Sequence, residues 1–242
     1  MRTGRITFGV FAVVLAVVFF IWHDSELWSH LPPIGVKAQT ALAWVVTIAT
    51  ILGGLGIMIP RTARVGASLV GIVFVLYALA CIPGIVAAPT TYGSYVDFFE
   101  LLAIVSGAIA VIALATAENS RAVVLGRTAR ILLGVCTISF ALTQIDYLKE
   151  TASQVPPWLP PSPMFWAVLT TIAFGLAALA ILIDRSARLA LRLMSIMIDL
   201  FGLAVWVPRV IAQPHMLFFW SEGSWTFLIA TAAWLVAEVC AS

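Results

Sequence analysis

Along the chain, long runs of Leu, Ile, Val, Ala and Phe alternate with short breaks carrying Pro, Arg and acidic residues. Eight runs, roughly 5–22, 38–59, 65–82, 97–116, 128–145, 164–183, 189–207 and 225–240, approach the ~20 apolar residues that a helix needs to cross a bilayer. The breaks fall at Pro60, Pro83, Pro89, the pairs Pro156/Pro157 and Pro160/Pro161, Pro208 and Pro214. The connections are too short for a separate soluble domain. The pattern predicts an all-α integral membrane protein of eight transmembrane helices.

Composition sharpens this. Of 242 residues, 62% are hydrophobic and 10% charged, and the mean hydropathy is +1.09; a soluble domain has about 25% charged residues. The net charge of +2 argues against nucleic acid as a partner. The lipid bilayer is the expected partner. Ten of the 13 positive residues (Arg2, Arg5, Arg61, Arg64, Arg121, Arg127, Arg130, Arg185, Arg188 and Arg192) fall at the N-terminus and in the even-numbered connections, while Lys37, Lys149 and Arg209 fall on the other side. Positive residues near span ends stay cytoplasmic, so both termini are expected there. The first span is expected to be retained, because Phe19-Phe20-Ile21-Trp22 stands where a signal peptide needs small residues.

Compared with itself, the chain matches at offsets of 122 to 125 residues. Gly4-Arg5 answers Gly126-Arg127, Asp24 answers Asp146, Trp44 answers Trp166 and Gly53 answers Gly175. Ile59-Pro60-Arg61-Thr62-Ala63-Arg64 answers Ile183-Asp184-Arg185-Ser186-Ala187-Arg188, Pro83 and Pro89 answer Pro208 and Pro214, and Asp97 answers Glu222. Two tandem four-helix bundles, residues 1–117 and 118–242, are expected within one membrane domain. An even number of spans per copy keeps one orientation, so a pseudo-twofold axis along the membrane normal should relate them.

With the halves aligned, the chain resembles the DoxX family of bacterial membrane proteins. The resemblance lies in Gly53-Gly54-Leu55-Gly56 followed by Pro60-Arg61-Thr62-Ala63-Arg64, in the stretch from Asp146 to Pro160, and in Trp225 to Trp234, which is similar to the final helix of eight-span members. It implies four-helix units in a bacterial inner membrane. It also implies relatives connected with quinone-linked sulfur oxidation, oxidative-stress complexes and assembly. No catalytic residue is carried over.

Some chemistry is excluded. A thiol oxidoreductase needs paired cysteines, and Cys81, Cys136 and Cys240 are dispersed in depth, as small packed hydrophobes would be. His23, His30 and His215 all fall in or beside outer loops, away from intramembrane haem. His23, Asp24, Glu26 and His30 lack the spacing of a zinc site. No metal or cofactor is expected within the chain, and no catalytic motif, so a non-enzymatic role is favoured.

Candidate binding residues concentrate in two places. Asp199 is the one ionisable residue deep in a span, a position that costs roughly 2.5–3.5 kcal/mol on insertion scales. Helical spacing places it on one face with Arg192, Ser195, Gly202 and Trp206, expected to point inward at a polar partner or water. At the outer rim, Asp97 and Glu100 begin span four, Glu222 precedes span eight, and Asp24 and Asp146 end spans one and five. The helix dipole favours the first three; Asp24 and Asp146 need another reason, such as a bond to Arg209, Lys149 or a loop amide. Eight of nine Trp (Trp22, Trp28, Trp44, Trp158, Trp166, Trp206, Trp220 and Trp225) fall toward the outer face, leaving Trp234 inside. The excess over an interfacial belt points to an outward vestibule.

The reading that follows is a protein binding a lipophilic small molecule of quinone or isoprenoid type, or a membrane partner, through Asp199, Ser195, Trp206, Asp97, Glu100, Asp146, Asp24, Arg209 and His215. The alternatives are an accessory subunit of a redox or oxidative-stress complex, whose cofactor would reside in a partner protein, and a proton-coupled carrier centred on Asp199.

Overall fold

A computed structural model describes residues 2–22, 36–116 and 120–240. Its elements are α1 (Arg2–Trp22), α2 (Val36–Met58), α3 (Ala63–Ala87), α4 (Gly93–Leu114), α5 (Ser120–Asp146), the short α6 (Leu148–Gln154), α7 (Pro163–Leu182), α8 (Ala187–Phe201), a π-turn at Gly202–Trp206, α9 (Val207–Ala212) and α10 (Leu217–Val239). There is no strand among the described residues. His23, Asp24, Glu26, Trp28 and His30, named above, lie outside the described residues.

Seven helices among the described residues are long and apolar enough to cross a membrane: α1 to α5, α7 and the run from α8 through α9. Helix α10 has 23 residues but falls outside that set. Glu222, Glu238 and several Ser, Thr and Trp make it less apolar. Burial is the physical reason that it can be so: α10 packs against α1, α4, α5 and α8, at the centre of the bundle. Its small residues Gly223, Ser224, Ala230, Ala232, Ala233 and Ala237 are buried, and so are Ala103, Ser106, Gly107, Ala108 and Ala110 of α4. Small side chains let the two backbones approach; a Cβ on Gly107 would stand 2.6 Å from the Cβ of Ala232.

The outer helices present the opposite pattern. Val45, Leu52, Val65, Ile72, Leu76, Leu176, Leu179, Leu189, Leu193 and Leu200 all face outward and are exposed. A water-soluble bundle would place polar residues there.

Several boundaries differ from the sequence reading. Pro83 lies inside α3 rather than ending it. Helix α5 begins at Ser120, so Arg121, Arg127 and Arg130 stand on the helix. Helix α10 begins at Leu217 and holds Glu222 within its second turn. Neither α4 nor α10 carries an acid in its first turn, so the dipole argument for Asp97, Glu100 and Glu222 does not apply.

Arginines gather at one end of the bundle. Arg5 donates to Met58 O at 3.4 Å and Arg64 to Thr116 Oγ1 at 3.0 Å. Arg192 lies 5.5 Å from the ring centroid of Trp234. Arg130 donates to Ile181 O and pairs with Asp184 at 3.3 Å, satisfying carbonyls at the end of α7.

Candidate functional site

At the opposite end, α5, α6, α7, α8 and α10 surround a cavity of about 250 Å³. Helix α5 contributes Phe140, Thr143 and Gln144, α6 contributes Thr151 and Gln154, and α7 contributes Thr170 and Phe174. Met197, Ile198 and Phe201 come from α8 and Trp206 from the π-turn. Helix α10 adds Glu222, Trp225, Thr226 and Ile229, and α4 sends in Glu100. The wall is thus largely aromatic and aliphatic, with two carboxylates and a set of neutral polar groups.

Part of the polar wall is internally bonded. Gln144 Oε1 stands 3.1 Å from Thr170 Oγ1 and 3.0 Å from Thr171 Oγ1. Each hydroxyl also lies within bonding distance of Ala167 O and carries a single proton, so it serves Gln144 or its own helix, not both. Trp206 differs. The residue is 3% exposed and its indole N–H has no acceptor among the described residues. An unpaired buried donor costs about 1–3 kcal/mol, and this nitrogen is sealed from the cavity that the residue lines.

The π-turn explains why Trp206 is on this wall. Pro208 has no N–H and its ring clashes with the carbonyl one turn back, so a regular helix cannot pass through it undisturbed. A π-turn takes up the misfit by inserting one residue, which sets everything downstream back by about 100°. On a regular helix Trp206 would share the face of Asp199; the extra residue swings it toward the face of Met197, Ile198 and Phe201. Arg209, one turn on, lies 5.2 Å from the Trp206 ring centroid and 6.0 Å from that of Phe219, outside the cavity lining.

The other residues expected to bind are scattered. Asp199 is half-buried, does not line the cavity, and has no hydrogen-bond or ion-pair partner among the described residues. At 100° per residue it lies about 150° from the middle of the cavity-facing side of α8, which corrects the expected polar partner. Ser195 is buried and donates to Ala230 O at 2.8 Å, joining α8 to α10. Asp97, Asp146 and His215 are exposed and off the cavity wall. Among the described residues, only Glu100, Trp206 and Glu222 of the rim and span candidates converge with Trp225. The neutral residues Thr143, Gln144, Thr170 and Thr226 carried no charge to single them out, and their signal was their shared depth near the same end.

A second, far smaller pocket of about 10 Å³ is lined by Leu15, Ala16, Phe19, Val46, Thr47, Thr50, Phe74 and Tyr77. The Trp225 ring separates the two. It stands edge-on to Phe74 at 5.8 Å and 6.3 Å from Phe19, while lining the large cavity.

Among the described residues no group of three or more His, Cys, Asp or Glu could hold a metal ion. The class this architecture defines is an all-helical protein with seven helices able to cross a membrane and one amphiphilic cavity near an end of the bundle. Comparisons with protein-family models, with curated proteins and with solved structures return no match to the chain.

Proposed function

We propose that this chain is a multi-pass protein of a bacterial inner membrane, DoxX-like and internally duplicated, that binds a lipophilic small molecule in the cavity of its second four-helix unit. The outward Leu, Ile and Val side chains support residence in lipid, because a face of this kind has no favourable contact with water. The arginine-rich end supports both termini on the cytoplasmic side and the cavity toward the outside.

Duplication is supported by contacts that recur. Helices α1–α2, α2–α3 and α3–α4 pack in sequence, and so do α5–α7, α7–α8 and α8–α10; α4 meets α5 as α10 meets α1, and α4 meets α10. Tyr95 Oη donates to Pro89 O at 3.0 Å and Trp220 Nε1 to Pro214 O at 3.0 Å, six residues upstream in both cases. Arg5 and Arg130 each reach the last carbonyls of the second long helix of their unit.

The cavity is the observation that carries the binding reading. In the first unit Phe19, Phe74 and Tyr77 line a pocket of only about 10 Å³, so among the described residues the larger site belongs to the second unit. A ligand in the size range of a quinone ring or a short isoprenoid suits its mostly apolar wall. The test is mass spectrometry of organic extracts from the purified protein and from Ile229→Trp, which fills the cavity. A molecule enriched with the wild type and lost from Ile229→Trp is the expected result. Identical extracts from both proteins would reject the site.

A further inference from the structure

The cavity wall restricts the head group its ligand can carry, because the protons of its polar side chains are mostly spent. A threonine hydroxyl has one proton and two lone pairs. Thr143, Thr151, Thr170 and Thr226 each hold that proton within reach of the carbonyl four residues back, Ser139 O at 2.9 Å, Tyr147 O at 2.9 Å, Trp166 O at 2.9 Å and Glu222 O at 2.8 Å. Bonded to its own helix in this way, a threonine on the wall has only lone pairs to offer. The state of Gln144 follows. Its amide lies 3.1 Å from Thr170 Oγ1 and 3.0 Å from Thr171 Oγ1, farther than the 2.9 and 2.7 Å from those hydroxyls to Trp166 O and Ala167 O. Facing two hydroxyls whose protons go to the backbone, the amide bonds both at once only through its NH2, which a half-turn of the terminal torsion brings toward them. The carbonyl oxygen then takes the other end of the amide, which has no partner among the described residues and is not sealed. Glu100 and Glu222 are engaged with other groups, and a carboxyl keeps acceptor lone pairs whether or not it is ionised. The donors left to a ligand are the Gln154 amide and the Trp225 indole, neither sealed nor bonded among the described residues.

We infer that the cavity selects a hydroxyl head on an apolar body, an alcohol in preference to the ketone or quinone of the same skeleton, with the carbonyl oxygen of Gln144 accepting its proton. A hydroxyl donates and accepts, so it uses the lone pairs of the wall as well as its two spare donors. A carbonyl only accepts, and it leaves Gln144 unmatched. This rests on reading the cavity as a ligand site and names the head group of its ligand. At about 250 Å³ the cavity lies just below the usual 300–1,000 Å³ of small-molecule pockets, so a single-ring probe is appropriate.

The probes trans-4-tert-butylcyclohexanol and 4-tert-butylcyclohexanone share one carbon skeleton and differ in the head alone. Each is titrated into the full chain in lipid nanodiscs by saturation-transfer NMR, with Ile229→Trp nanodiscs as the background for partitioning into lipid. The alcohol should bind about three- to tenfold more tightly than the ketone. Gln144→Met with Thr170→Val removes both partners of one bond, so neither is left an orphan, and Thr171 keeps Ala167 O. In this double variant the two probes should come within about twofold of each other, and persistent ketone binding reports that the variant is folded. The wild-type comparison decides the matter alone if the double variant does not fold. Equal binding of both probes to the wild type, tighter binding of the ketone, or an alcohol preference that survives both substitutions overturns the head-group assignment and leaves the apolar site standing. Failure of both probes to bind above background overturns the site and the assignment together.

Discussion

Cys240 stands just past the end of α10, half-buried, while Cys81 and Cys136 are buried within their helices. Its thiol is pushed above the ordinary value by burial, pulled down by the charge of Arg130, and pushed up again by Asp184. A raised pKa leaves less thiolate at a given pH, and the thiolate is the reactive form. Alkylation of the folded protein at pH 8 should therefore be slower than that of free cysteine and confined to this site, with a rate that climbs as pH rises. Asp184→Asn removes an upward push and frees Arg130 to act on the thiol, so it should speed the reaction at fixed pH. Rates followed by the mass shift with iodoacetamide check this; a slower or unchanged rate in Asp184→Asn contradicts it.

Among the helices, glycine shows how packing decides what a residue does. A Cβ on Gly66 would stand 2.5 Å from Gly53 O and 2.6 Å from Ile57 N, both backbone atoms that cannot move aside, whereas a Cβ on Gly175 would meet nothing within 4 Å. Gly66→Ala should force α2 and α3 apart and cost at least about 1–3 kcal/mol. Gly175→Ala should be neutral or stabilise by up to about 1 kcal/mol, because Ala is the better helix former. Thermal unfolding in detergent distinguishes the two, and equal shifts would remove the packing account. Gly53 and Gly175 match in sequence, yet a Cβ on Gly53 would come within 2.7 Å of Val70 Cγ2. Two positions that match at the sequence offset thus meet different surroundings.

At the scale of the molecule, the arginine end and the cavity end set a direction for the proposed membrane orientation. Single cysteines at Thr62 and Ser186, both exposed near the arginine end, should be shielded from an impermeant maleimide in intact cells; one at Ser153, exposed near the cavity, should be labelled. The reverse pattern would invert the protein and place the cavity toward the cytoplasm. Because α10 touches helices of both halves, its loss should disrupt the whole bundle rather than one unit.

Helix type, the places of the long apolar runs and the clustering of positive charge were legible in the sequence, because they depend on chain-local quantities: the length of an apolar run and the sign of the residues that flank it. Glu100, Glu222, Trp206 and Trp225 were also legible as candidates, since acids and tryptophans at one depth are conspicuous in an apolar chain. Their convergence was not. Which face of α8 turns toward the cavity depends on the π-turn before Pro208, a one-residue change in register that moves Trp206 onto the wall and leaves Asp199 off it. The central place of α10 was hidden for a related reason. The sequence sets its run beside the others, and only the packing of α1, α4 and α8 around it shows that its small residues face protein, where close approach matters more than hydropathy.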